Sequence, residues 1–394
     1  MLSSYRTAFA HFVNRLQLPW RKTQRDNLVL WGSAFLARQS LPVRRLSRTL
    51  APLPKAAKHM DKRLRRFLGN DRLQLDEALR AYLAFLLPRL GPQPFIPVML
   101  DWTYLGSYAV LTVAIPYRGR SLPLFATVHE RAIEKRVYSQ TQAEISLLRR
   151  LRWCWPEGAP PPLLLADRGF DKSRLLEWLL QGTTGKQKDE CAPAAPGSHP
   201  WLFVIRSCMQ AAVTDAQGRR LEKRLLTYPG ERRYYPNVTY HLEGQFAVHL
   251  VLSCERDRKT REPSTWFLIT NLAEPRLPQA PKLYAARMEP EETYRDCKQG
   301  YLLSGFGLHG LKRMRRDRLE RLLCCFTLVY GFLVFLAEAE RDLREGFVRQ
   351  HFRLSLISFA LDALRGIPKQ IPLLIRQACA SVRLEPLWPE SGDP

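Results

Sequence analysis

The chain has 394 residues, 46% of them hydrophobic and 10% aromatic, enough for two or three domains around a substantial core. Lys and Arg number 61 against 37 Asp and Glu, a formal net charge of +24. That composition excludes a disordered chain, and a field of that sign recruits polyanions: DNA, RNA or an anionic membrane surface.

Residues 1–90 hold 18 Lys and Arg against 5 Asp and Glu, so a net +13 sits in the first quarter. Leu and aromatic residues interleave with these charges, as in "DKRLRRFLGNDRLQLDEALRAYLAFL", which predicts folded helices with a basic face, broken by Pro42, Pro52 and Pro54. No signal peptide is expected, because Arg6, His11 and Arg15 interrupt each apolar run. Eight scattered cysteines with no CxxC pair and no metal-site spacing fit a reducing, cytosolic compartment.

The pattern changes near residue 95. "FIPVMLDWTYL" (95–105) is a β-rich apolar run carrying Asp101, which is expected to close the strand; "SYAVLTVAIPYRG" and "SLPLFATVHE" follow as a meander. "TQAEISLLRRLRWCW" (141–155) has helical spacing, "PPLLLADRGF" (161–170) is a short buried strand stopping at Asp167, "SRLLEWLLQ" (173–181) is helical, and "PWLFVIRS" (200–207) is a fifth strand. The order β-β-β-α-β-α-β is that of a mixed α/β sheet. The intervening "GTTGKQ" lacks both the glycine spacing and the Ser or Thr of a phosphate-binding loop.

From 208 to 278 the chain reads as an inserted β subdomain, with "QFAVHLVLSCE" and "STWFLITNL" as its clearest strands. Helical patterning returns near Leu283. Leu322–Ala337 is an uncharged apolar run shorter than the roughly 20 residues that cross a bilayer, so it is expected as a buried helix and no membrane partner is foreseen. The implied divisions are 1–93 (helical, basic, DNA-binding), 94–207 and 279–345 (two parts of a core), 208–278 (the insertion) and 346–394 (helical).

An acid at Asp101 is costly at a buried strand unless it has a partner. Asp167 before Arg168-Gly169 also suits a turn. Two acids on separate strands, with a third from a later helix, are what metal-assisted phosphodiester chemistry requires, because Mg²⁺ prefers carboxylate oxygens. In "YAARMEPEETYRDCKQ" (284–299), Tyr284, Arg287, Glu291 and Lys298 stand at offsets 0, 3, 7 and 14. At about 100° per residue they fall within roughly 60° of arc on one helix face.

These residues resemble the bacterial insertion-sequence DDE transposases of family four, which share a retroviral-integrase-like RNase H core. The family's mark is Tyr, two residues, Arg, three residues, Glu, six residues, Lys, and it occurs here without a gap; Asp101 in "MLDWT" and Asp167 in "ADRGF" match its first two acids, with "KRLRRFLGN" (62–70) a weaker echo. The resemblance implies an RNase H-like mixed sheet with an inserted β subdomain, flanked by helical N- and C-terminal regions. It further implies Asp101, Asp167 and Glu291 as ligands of two Mg²⁺ ions, with Mn²⁺ able to substitute, and Tyr284, Arg287 and Lys298 as phosphate contacts. Trp266 in "STWFLITNL" would stack on a base flipped from the DNA end, and Arg168 would lie beside the DNA.

The implied activity is cut-and-paste transposition: cleavage at transposon ends with inverted repeats, through a hairpin, and strand transfer into target double-stranded DNA by a homodimer in the bacterial cytoplasm, associated with the nucleoid. The alternatives are an RNase H-like nuclease without strand transfer and an inactive DNA-binding relative. Lys312, Arg313, Arg315 and Arg316, in "LKRMRRDRLER" (311–321), are expected to touch the DNA backbone. One residue departs from the pattern: Pro290 has no N–H to bond back to residue 286, so a helix through it should kink or restart there.

Overall fold

The structure, a computed structural model, describes residues 2–51, 53–117, 120–181, 201–208, 211–221, 225–256, 260, 262–288, 314–343 and 360. Five helices come first: α1 (Leu2–Arg15), α2 (Lys22–Arg38), α3 (Val43–Leu50), α4 (Pro54–Leu68) and α5 (Leu75–Leu86). Prolines set two of the breaks as the sequence predicts. Pro42 caps α3 and Pro54 opens α4 at its first position, where a missing N–H costs nothing. In α2, Gln24 reaches back to accept the Arg21 backbone N–H at 2.8 Å, so the helix start is satisfied from within.

The apolar run 322–337 lies inside α9 (Arg316–Leu343), the longest helix among the described residues. By length and composition Arg316–Ala339 could cross a membrane, but it is buried within the fold, as expected from the sequence. Phe332 packs edge-on to Phe9 and Phe12 of α1, and Phe335 meets Phe85 of α5 at 5.1 Å between ring centroids. The approach is close enough that a Cβ on Gly331 would overlap the Tyr82 ring and hydroxyl of α5.

The strands are β1 (Ile96–Leu105), β2 (Tyr108–Tyr117), β3 (Arg120–Glu130), β4 (Pro162–Ala166), β5 (Leu202–Arg206), β6 (Ala212–Thr214), β7 (Arg232–His241), β8 (Gln245–Arg256) and β9 (Pro263–Thr270). Helix α6 (Val137–Cys154) precedes β4, and α7 (Ser173–Gln181) precedes β5. The β-β-β-α-β-α-β order therefore stands, in a mixed α/β fold. The nine strands among the described residues form one sheet, ordered β3-β2-β1-β4-β5-β9-β8-β7-β6. The strands of the 208–278 segment do not make a sheet of their own, because β9 pairs antiparallel with β5 and carries β8, β7 and β6 outward from it.

Side-chain alternation gives the sheet two unlike faces. Val98, Leu100, Leu164, Ala166, Phe203 and Ile205 face the large core shared with α1–α7 and α9. Met99, Leu163, Leu165, Val204 and Leu268 face a smaller core with Leu283 and Tyr284 of α8 (Ala280–Ala285). At the sheet's β3 margin, α9 lies alongside, and the Glu320 carboxylate accepts the Val128 backbone N–H at 2.9 Å.

Two sequence expectations are corrected. Asp101 does not end β1, which runs on to Leu105 and turns into β2 through Gly106 (φ 61) with Leu105 opposite Tyr108. The pairing of Asp101 with Thr112 shows why: β2 is long enough to hold the extra residues in the ladder. The regular helix expected through Tyr284 and Arg287 is only six residues long and tightens into a 3-10 turn over Ala286–Met288, so even spacing of 100° per residue is lost before Pro290.

Candidate active site

Strand register builds the site. Met99 of β1 lies opposite Leu165 of parallel β4, so two residues further along Asp101 and Asp167 stand side by side. Leu165 and Ala166 in turn lie opposite Val204 and Ile205 of parallel β5, which puts Arg206 level with Asp167. Period-two alternation turns all three toward the α8 face, because Met99, Leu165 and Val204 already face it. Three adjacent strands thus present Asp, Asp and Arg in one row.

From the other side comes Arg287. A single guanidinium nitrogen, Nη2, donates to Asp167 Oδ2 at 2.6 Å and to Asp101 Oδ1 at 3.2 Å. The other oxygen of Asp167 caps the turn that follows β4, accepting the Gly169 N–H at 2.8 Å. The turn reading of Asp167 therefore stands, with Oδ1 serving the turn while Oδ2 faces the row. Arg168 is exposed beside it.

Tyr284 is 2% exposed and lies close to the Arg206 and Arg287 guanidinium groups. Burial pushes its phenol up, and Arg287 and Arg206 hold it back. Burial pulls the Arg206 guanidinium down, Tyr284 opposes this, and the nearby charges of Arg168 and Arg287 add to the depression. Trp266 of β9, half-buried on the same face, meets the Tyr284 ring edge-on at 5.1 Å between centroids.

On the opposite face, Trp102, next to Asp101, donates its indole N–H to Glu144 Oε1 of α6 at 2.8 Å. Lys172 Nζ donates to the same oxygen at 2.7 Å. Asp171, its neighbour, accepts the Tyr240 hydroxyl at 2.6 Å and the Cys208 N–H at 3.0 Å. The loop after Asp167 is thereby fastened to α6 on one side and to β7 on the other.

Of the residues singled out from sequence, the structure brings together Asp101, Asp167, Arg287, Tyr284, Trp266 and Arg168. Glu291, Lys298, Lys312 and Arg313 lie outside the described residues. Arg315 and Arg316 are exposed at the start of α9, where Arg315 pairs with Asp317 at 3.1 Å and Arg316 approaches Glu320 at 3.8 Å. Arg206, Glu144 and Lys172 were not foreseen. Arg206 had a signal, since "LFVIR" ends a strand with its only charged residue, but its neighbour across the sheet is set by pairing rather than by local pattern.

Two carboxylate oxygens converge on one guanidinium nitrogen, so Arg287 supplies the charge that offsets the two acids. Among the described residues no group of three Asp, Glu, His or Cys side chains converges. No protein-family model matches the chain, and no curated protein matches it.

Proposed function

We propose that the chain is a DDE-type DNA transposase that cleaves phosphodiester bonds at the ends of its element and joins the freed 3′ ends to target DNA. The observation that carries this reading is the pair Asp101 and Asp167, side by side on parallel β1 and β4 and sharing the Arg287 guanidinium. We read β3-β2-β1-β4-β5, in which β2 alone is antiparallel, as the RNase H-like core, with the 208–278 segment as its insertion.

Asp101 and Asp167 would hold the metal, with Glu291 as the third ligand implied by the Tyr-Arg-Glu-Lys motif. Bound Mg²⁺ supplies Lewis-acid polarisation of the phosphate and a more acidic water. The chain's own groups bind and orient the DNA. Arg287 neutralises the two carboxylates and can exchange this contact for a phosphate oxygen; Arg206 and Arg168 extend the cationic row along the strand ends. Tyr284 lies beside Arg206 and Arg287, and Trp266 buttresses Tyr284. Base stacking by Trp266 remains the role implied by the motif. Lys298, Lys312 and Arg313 keep the phosphate contacts implied by the sequence.

A second surface suits duplex DNA. On α3 and α4, Arg44, Arg48, Lys55, Lys58, Lys62 and Arg66 are all exposed, while Leu46, Leu64 and Phe67 are buried beneath. Cations clustered on one helix pair give the salt-dependent, sequence-independent part of DNA affinity. A homodimer on paired ends, in a bacterial cytoplasm, completes the proposal.

The test uses a plasmid carrying the DNA that flanks the gene. The parent protein with Mg²⁺ should give end cleavage and joined donor–target products, and Asp101→Asn or Asp167→Asn should abolish both. Nicks without joined products would instead identify a nuclease. Metal-independent binding with no product from the parent would overturn the catalytic reading.

A further inference from the structure

Glu144 is fully buried, at 0% exposed, near the middle of α6 on the face of the sheet opposite the two acids. Its Oε1 takes both hydrogen bonds, from Trp102 and Lys172, while Oε2 is buried with no hydrogen-bond partner among the described residues. Burying an ion pair is a poor way to stabilise a fold, because apolar residues of similar volume often do as well or better. The network must therefore be explained by where its partners sit. Trp102 is the residue after Asp101, and alternation places the two side chains on opposite faces of one strand, so fixing the indole fixes the backbone that aims Asp101. Lys172 ends the loop that begins at Asp167, and Asp171 anchors that loop to β7. His129 of β3 closes on the Trp102 ring at 5.6 Å, which further restricts the indole.

We propose that Glu144 is a positioning residue: by gripping Trp102 and Lys172 with one oxygen, it sets the spacing of Asp101 and Asp167 and hence their affinity for a divalent cation. This rests on reading the acid pair as a cation site. Groups behind the ligands of a metal commonly alter affinity by 10–100-fold when removed, without touching the ion.

Mn²⁺ titration of the full-length protein without DNA, followed by electron paramagnetic resonance of the free ion, tests it. Glu144→Ala and Lys172→Met should each weaken Mn²⁺ binding about tenfold. Glu144→Gln should weaken it less, since the amide oxygen still accepts the indole N–H. Leu148→Ala, a core truncation one turn along α6, should lower the melting temperature and leave Mn²⁺ affinity unchanged; it separates positioning from general loosening. Circular dichroism identifies any variant that fails to fold, in which case Glu144→Gln and Lys172→Met decide. Parent-like Mn²⁺ affinity in the folded Glu144 and Lys172 variants would overturn the inference while leaving the acid pair intact as a site. Mn²⁺ binding that survives Asp101→Asn would overturn the reading of the acid pair itself, and this inference with it.

Discussion

Removing Arg287 should show what the paired acids cost each other. Both Asp101 Oδ1 and Asp167 Oδ2 touch the same nitrogen, at 3.2 and 2.6 Å. The two oxygens are therefore no more than about 6 Å apart, and at an effective dielectric near 20 two unit charges at that distance repel by about 3 kcal/mol. Asp167 is 37% exposed and Asp101 28%, so solvent screening reduces this to about 1–2 kcal/mol. Arg287→Ala should lose that much stability in urea unfolding at pH 7 and low salt. Asp101→Asn/Arg287→Ala should lose much less than the sum of its parts, because the repulsion is absent once one carboxylate is neutral. Millimolar Mg²⁺ should return stability to Arg287→Ala and have less effect when Asp101 is also changed. Equal losses from Arg287→Ala with Asp101 present or replaced would refute the electrostatic argument and leave Arg287 as a packing residue.

Other perturbations probe separate parts of the molecule. Gly331→Ala should cost about 1–3 kcal/mol by overpacking against Tyr82, and Tyr82→Phe should restore part of the loss in thermal melts, because the hydroxyl is the atom nearest the added methyl. His129, with its imidazole pushed down from 6.5 to about 4 by burial and by Arg316, resists protonation in the fold. As pH falls through that window the unfolded chain takes up a proton that the folded chain refuses, so stability should fall, and His129→Gln should flatten that part of the pH–stability curve. Replacing Lys55, Lys58, Lys62 and Arg66 by Gln should leave the melting temperature nearly unchanged. It should also reduce the slope of log binding constant against log salt by about 3 to 4, measured on duplex DNA by fluorescence anisotropy, if each contacts one phosphate.

Local pattern carried the sequence reading as far as each strand and helix in isolation. The apolar runs at 95–105, 161–166 and 200–207 are short and bounded by Pro, Gly or charge, and α7 begins and ends where its periodicity does. Asp101 and Asp167 were legible because a carboxylate in or beside a buried strand needs a reason to be there. The extension of β1 beyond Asp101 was not, since it depends on the length of β2. Nor was Arg206 as the third member of the charged row, because parallel register between β4 and β5 is set by strands 36 or more residues apart. Glu144 looked like one polar residue in an amphipathic helix; its burial appears only when Trp102 and Lys172 arrive from other elements. The joining of β9 to β5 likewise comes from a pairing more than 60 residues long in sequence, invisible to any local window.

The Glu320 contact on β3 has a consequence for association between copies. A sheet margin with free N–H groups is a template onto which a strand from another molecule can add. Here the β3 margin is shielded by α9, with the Val128 N–H already engaged, and the far margin is β6, a strand of three residues. At that end β6 covers only Thr239–His241 of β7, so the edge left open among the described residues is Arg232–Tyr235, cut short by Pro236 and the left-handed Asn237. Strand addition between two copies would therefore be blocked where α9 covers β3 and confined, at the other end, to the short exposed start of β7.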